Sequence, residues 1–327
     1  MLIFFAMVIF GISLLVWSAD KFTDGAAAIA RNFGISPLIV GLTIVAIGSS
    51  APEMVVSLNA ALENTPNLAV GNAIGSNIAN IGMVLGIVAL VTPLKVKSET
   101  LKKEIPILFG IMLLTFVLLY DLKITLADGI ILLLCLGAYI SWLTRAALAA
   151  KNKKDLMLEE IIEELPDQMS NLKALIWVVV GLLLLQLSSK ILVYGATKIA
   201  LGFGISEFVI GVTIVAVGTS LPELAASITG ALKGEHELAI GNVIGSNIFN
   251  LLAVLAIPTL IMDIDIESTV LQIDYSLMII LTVLASIMAY GFNQQEGKIS
   301  RLEGGFLLLI FISYQIYQLF IVVAGGN

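Results

Sequence analysis

Residues 34–62, GISPLIVGLTIVAIGSSAPEMVVSLNAAL, return as residues 204–232, GISEFVIGVTIVAVGTSLPELAASITGAL, 170 positions later. At the same offset and without a gap, LAVGNAIGSNIAN at 68–80 returns as LAIGNVIGSNIFN at 238–250. About half of the positions from 34 to 86 are identical to their counterparts, which marks an internal duplication. Fainter matches extend outward, pairing Gly25-Ala26 with Gly195-Ala196 and, with a small shift, Asp128-Gly129 with Glu303-Gly304.

Around this repeat, apolar stretches of membrane-spanning length, about 17 to 25 residues, recur from end to end. Ten are read, at 1–19, 36–62, 68–92, 105–120, 125–147, 173–190, 206–232, 238–262, 274–291 and 303–324. They are continuously apolar rather than alternating, which favours helices over a lipid-facing barrel. The first lacks a basic leader and continues into repeated sequence, so it reads as part of the fold, not a signal peptide. Each half then holds five spans. An odd number per half makes the second copy enter the bilayer from the opposite side, so the halves are inverted and a residue near mid-span faces its counterpart across the midplane. The expected class is an all-α polytopic membrane protein of ten transmembrane helices in two inverted five-helix repeats, with helices 2 and 7 broken. The expected divisions are 1–150 (motif 34–86), an acidic linker 151–172, and 173–327 (motif 204–256).

Composition agrees. The 327 residues are 59% hydrophobic and 13% charged, and the mean hydropathy is +1.04. That excludes a soluble enzyme, because so few charges cannot cover a water-facing surface. A net charge of −7 offers no basic face for nucleic acid. Placing both termini outside leaves only Lys123, Lys190 and Lys198 of the 17 basic residues on that side. By the positive-inside rule the linker is then cytoplasmic, and its Leu156, Ile161, Ile162 and Leu165 suggest a short amphipathic helix. The lone Cys135 reads as packing and His236 as a solvated loop residue. Trp17, Trp142 and Trp177 read as interfacial anchors.

Chemistry concentrates in the repeat. Glu53 and Glu223 lie deep in their spans, in Gly48-Ser49-Ser50-Ala51-Pro52-Glu53 and Gly218-Thr219-Ser220-Leu221-Pro222-Glu223. Insertion of an acidic side chain at mid-membrane costs roughly 2.5 to 3.5 kcal/mol, so two of them call for a cation. Each proline removes an intrahelical donor and frees carbonyls around Gly48-Ser49 and Gly218-Thr219. Ser76 with Asn80, and Ser246 with Asn250, stand one turn apart on one helix face. Their neighbours Asn72, Asn77, Asn242 and Asn247 read as interhelical glue. The set is hard oxygen, suited to Ca²⁺ or Na⁺ and not to zinc or copper.

These doubled motifs resemble the two alpha repeats of the calcium/cation antiporter superfamily, most closely its prokaryotic sodium/calcium exchanger-like members. The resemblance covers essentially the whole chain. It implies a ten-helix exchanger in which the helices of 36–92 and 206–262 enclose the ions while the first and sixth slide to alternate access. Carried over by position, it implies ligands at Glu53, Ser49, Ser50, Ser76 and Asn80, and at Glu223, Thr219, Ser220 and Ser246, with the carbonyls of Ala46 and Ala216. At the end of the second motif this chain has Asn250 where well-described exchangers of the family carry Asp. Two carboxylates balance one Ca²⁺, two Na⁺ or two protons, which leaves Na⁺/Ca²⁺ and H⁺/Ca²⁺ exchange, or a K⁺-dependent form, open.

The expected function is therefore a secondary antiporter in the cell (inner) membrane, exchanging Ca²⁺ for Na⁺. Its partners are those ions and the bilayer. No cofactor, nucleic acid or obligatory protein partner is implied, and the short linker offers no calcium-sensing domain. A channel would show no counter-ion coupling. An intramembrane enzyme needs its two carboxylates in unlike surroundings, whereas these are nearly the same.

Overall fold

A computed structural model describes residues 1–96, 98–152, 169–203, 216–290 and 297–325. Most of the expected linker 151–172, with its amphipathic helix, lies outside the described residues, as does 204–215 at the start of the second copy. The order is α1 (Leu2–Phe33), the bent pair α2 (Pro37–Ser49) and α3 (Ala51–Leu62), α4 (Pro66–Val91), β1 (Leu94–Val96), α5 (Ser98–Leu119), β2 (Lys123–Ile124) and α6 (Leu126–Asn152). Then follow α7 (Asn171–Gly202), α8 (Ala216–Thr219), α9 (Leu221–Leu232), α10 (His236–Leu260), β3 (Ile264–Asp265), α11 (Val270–Ala289), β4 (Gly297–Ile299) and α12 (Arg301–Gly325).

Among the described residues seven helices are long and apolar enough to cross a membrane, and α2–α3, bent by 41°, makes an eighth. Eight of the expected spans fall on α1, α2–α3, α4, α6, α7, α10, α11 and α12; the other two, 105–120 and 206–232, fall on α5 and on α8–α9, which are not among the helices that meet that length and hydropathy. The two beyond that number have visible reasons. Helix α5 opens on Glu99, Lys102, Lys103 and Glu104, and α8 begins just after the undescribed 204–215.

Burial sorts the helices into layers. The windows of α4 and α10 are 78% and 89% buried, whereas those of α1, α6, α7, α11 and α12 are only 17% to 28% buried. Leu2, Ile9, Leu134, Leu183, Leu309 and Phe320 are exposed on that outer layer, which is tolerable only where the surrounding medium is hydrocarbon. Two short antiparallel ribbons tie the connections, β1 with β4 and β2 with β3.

The helix that carries the first span runs beyond residue 19. Helix α1 continues through Asp20, Lys21 and Asp24 to Phe33 and ends on Gly34 in the left-handed conformation (φ 64°). It packs antiparallel against α7, with Met1 beside Gly202 and Gly25 beside Val178. Trp17 sits within the helix, exposed, and packs edge-on against Trp177, ring centroids 5.9 Å apart. Without a driving force for apolar burial between helices in lipid, close backbone approach carries the packing. A Cβ added to Gly25 would lie 2.8 Å from the Ala174 carbonyl oxygen, and one added to Gly181 would lie 2.9 Å from the Phe22 backbone.

Gly25→Leu and Gly181→Leu are each expected to cost about 1–3 kcal/mol through overpacking and to lower the melting temperature in detergent. Gly137→Ala, whose new Cβ meets nothing within 4 Å, should leave it unchanged or raise it. Unaltered melting in both leucine variants would show that α1 and α7 do not meet there.

Candidate ion-binding site

The proline in each repeat copy starts a new helix. Ser50 precedes α3 and Ser220 precedes α9, with Pro52 and Pro222 in the first turn and Glu53 and Glu223 at the third position. Ser-x-x-Glu at a helix start is the capping-box pattern, in which each side chain binds the other's backbone N–H. Neither copy closes it. Ser50 Oγ, Glu53 Oε2, Ser220 Oγ and Glu223 Oε2 are all buried without a hydrogen-bond partner. The carboxylates keep one local support, the positive end of the helix dipole.

The helices facing these breaks present a second mirror pair. Asn80 and Asn250 each begin a π-helical stretch, Asn80–Leu85 and Asn250–Val254, the widened turn that often marks functional positions in helices. Asn80 Nδ2 donates to Asn247 Oδ1 at 3.1 Å, and Asn250 Nδ2 donates to Asn77 Oδ1 at 3.0 Å. Each amide is therefore held by the opposite copy. Their own carbonyl oxygens, Asn80 Oδ1 and Asn250 Oδ1, are buried and unpartnered. Six unpartnered oxygens thus fall at three pairs of positions 170 apart: 50 and 220, 53 and 223, 80 and 250. Buried polar atoms are seldom left unpaired, so their coincidence with the repeat is informative.

The two copies meet here. Both glutamates are 1% exposed. Glu53 and Glu223 are neighbours across the duplication. Ser49 Oγ also donates to Asn242 Oδ1 (3.0 Å) and stands 3.4 Å from Ser246 Oγ. Ser76 is buried, one turn before Asn80. The Ala46 carbonyl accepts the Ser50 N–H at 3.0 Å and stands 3.5 Å from Ser49 Oγ, and Ala216 opens α8 as described. Thr219 borders a cavity of about 580 Å³ that also touches Pro52, Asn59, Gln186, Ser189, Lys190 and Thr197. Among the described residues no three His, Cys, Asp or Glu side chains cluster; the arrangement is two carboxylates among neutral oxygens, a shell for hard cations.

The asparagines read as glue act as glue. Asn72 Nδ2 donates to the Glu53 carbonyl (3.1 Å), and Asn242 Nδ2 to the Glu223 carbonyl (3.3 Å) and to Ser227 Oγ (2.9 Å). Two sequence readings need correction. The carbonyls freed by the prolines do not all point into the site: Gly48 O accepts Gln186 Nε2 (3.2 Å) and Gly218 O accepts Ser189 Oγ (2.8 Å). These α7 residues escaped the sequence reading, although a glutamine within the apolar run of 174–187 signals an internal partner. His236 is not a solvated loop residue. It starts α10, half-buried, with Nδ1 buried and unpartnered.

The chain matches the family model described as sodium/calcium exchanger protein over residues 3–145 and 173–320. CaxA of Alkalimonas amylolytica is 47% identical over 322 residues, 98% of this chain and 99% of CaxA. The inner membrane protein YrbG of Escherichia coli is 38% identical over 317 residues, 96% of this chain and 98% of its own. A solved structure of the sodium-calcium exchanger NCX_Mj superposes with a TM-score of 0.80 at 32% identity, covering 95% of this chain and 96% of that one.

Asn77→Leu and Asn247→Leu each strip a buried amide donor of its acceptor, which costs about 1–3 kcal/mol. Both variants are expected to melt several degrees below the parent in detergent and by similar amounts. A large loss in one and none in the other would contradict the mirror-related clasping of Asn80 and Asn250.

Proposed function

The chain belongs to the sodium/calcium exchanger protein family, and on that premise we propose that it exports Ca²⁺ in exchange for inward-flowing Na⁺ by alternating access to one midplane site. Two inverted five-span halves, 1–150 and 173–327, form the transporter. Both termini face outside and 151–172 faces the cytoplasm.

The supporting observation is the set of buried, unpartnered oxygens repeated at 50/220, 53/223 and 80/250. Ser50, Glu53 and Asn80 oppose Ser220, Glu223 and Asn250, and Ser49, Ser76, Thr219 and Ser246 with the Ala46 and Ala216 carbonyls complete the shell. Calcium takes six to eight oxygens at 2.3–2.6 Å, and a mixed shell of this kind meets that demand where water is scarce. Two carboxylates neutralise one Ca²⁺ or two Na⁺. Loading with either cargo therefore leaves the site uncharged, the condition under which it crosses the barrier between its two facings at least cost. With Asn250 in place of a third acid, no charge remains for an additional co-bound monovalent ion.

Reconstituted vesicles test the reading. An outward Na⁺ gradient should drive ⁴⁵Ca²⁺ uptake, and Glu53→Gln and Glu223→Gln should each lower the initial rate at least about a hundredfold, as expected for loss of one charge from a buried pair. Uptake driven equally by a pH gradient without Na⁺ would replace the coupling ion with a proton. Full activity in both glutamine variants would remove the glutamates from the transport site.

A further inference from the structure

Helix α7 carries Gln186 and Ser189 one turn apart, and both are bound to carbonyls that the prolines released. Pro52 has no N–H for the Gly48 oxygen, which takes Gln186 Nε2 at 3.2 Å, with the Ser49 oxygen at 3.5 Å from the same nitrogen. Pro222 has none for the Gly218 oxygen, which takes Ser189 Oγ at 2.8 Å. One helix therefore serves the breaks of both copies. The positions 170 earlier on α1 are Val16 and Ala19, which have no side-chain donor, so the mirror-related helix is unable to do the same.

We propose that Gln186 and Ser189 are positioning residues that fix the two proline breaks and withhold the Gly48 and Gly218 carbonyls from the cation. The inference rests on the exchange reading above. Unclasped, a freed carbonyl becomes an extra oxygen ligand or turns to water, and Ser49 and Thr219, the next residues in line, lose their fixed direction. A displacement of this size at a binding constellation weakens it by about 10- to 100-fold, as supporting contacts around metal ligands do.

The test is Na⁺-driven ⁴⁵Ca²⁺ uptake by Gln186→Leu, Ser189→Ala and Ser189→Thr, with hydrogen exchange of residues 46–54 and 216–224 in detergent. Gln186→Leu and Ser189→Ala should raise the KM for Ca²⁺ about tenfold or more with maximal rate changed less than threefold. Each should speed backbone exchange in its own break. Ser189→Thr, which keeps the hydroxyl, should restore both. An unchanged KM with unchanged exchange overturns the proposal, as does a failure of Ser189→Thr to rescue. If the parent chain shows no Ca²⁺ flux at all, the exchange reading fails, while the hydrogen-exchange arm still decides the clasp.

An independent observation lies at the helix ends. Lys233, in the turn between α9 and α10, contacts Asp20 and Asp24 of α1 at 2.6 Å each and the Asp20 carbonyl at 3.0 Å. Lys21 joins the same cluster, and Arg31 of α1 pairs separately with Glu235 in the same turn (3.4 Å). The positions 170 away from Lys233 and Asp20 are Glu63, in the turn between α3 and α4, and Lys190 of α7. This is the same ion pair with its charges exchanged. Glu63 and Lys190 do not bind each other within 4 Å, and Lys190 instead borders the 580 Å³ cavity reaching Thr219. We infer that the two pairs are alternating latches: Lys233 closes one end of the transporter while the other stands open, and closure of Lys190 on Glu63 belongs to the opposite facing.

A Thr197→Cys probe in a Cys135→Ser background, labelled with an impermeant maleimide, tests this. Partly exposed ion pairs are weak, so effects of about two- to fivefold are expected. Lys233→Gln should slow labelling by releasing the closed latch, and Glu63→Gln should quicken it by weakening the alternative. Labelling indifferent to both substitutions, or moved the same way by both, overturns the inference.

Discussion

The structure is organised by the difficulty of keeping two carboxylates in a medium that does not solvate them. Glu53 and Glu223 are nearly sealed from solvent, and the described residues offer neither of them a basic partner. An ionised group so placed is stable only beside a positive species. The local chain withholds the easiest relief, since Ser50 and Ser220 stand where a capping box would form and it does not close. Every other feature of the centre follows from leaving those oxygens unspent.

Holding unpaired oxygens in place requires that everything around them be paired. Asn77 and Asn247 bind the amides of Asn250 and Asn80 across the duplication, so that only the carbonyl oxygens turn inward. Asn72 and Asn242 grip the backbone of Glu53 and Glu223, and α7 takes up the carbonyls that the prolines orphan. The neutral groups thus form a hydrogen-bonded scaffold around the charged pair. Close glycine contacts hold α1 and α7 together as one packed pair.

Much of this was legible because the chain says it twice. The 170-residue offset picked out the glutamates, serines and asparagines without any structural input, since unrelated apolar spans do not share Gly-Ser-Ser-x-Pro-Glu by chance. What escaped depends on contacts distant in sequence. The π-helical turns at Asn80 and Asn250 have no local signature in Asn-Ile-Gly-Met-Val-Leu. That α1 continues as helix past Asp20 and Asp24 to Phe33 depends on contacts such as Lys233, 213 residues from Asp20. Gln186 was visible as a polar residue in an apolar run, but its target, a carbonyl 138 residues away, was not.

Exchange at this centre requires that one cation bridge the two glutamates. A crystal structure of the protein soaked in Ca²⁺, with anomalous scattering to identify the ion, addresses it directly. A single strong peak is expected at about 2.3–2.6 Å from carboxyl oxygens of both Glu53 and Glu223, with Asn80 and Asn250 Oδ1 turned toward it. A peak bound elsewhere, or two carboxyl groups hydrogen-bonded to each other with no ion between them at saturating Ca²⁺, would contradict it.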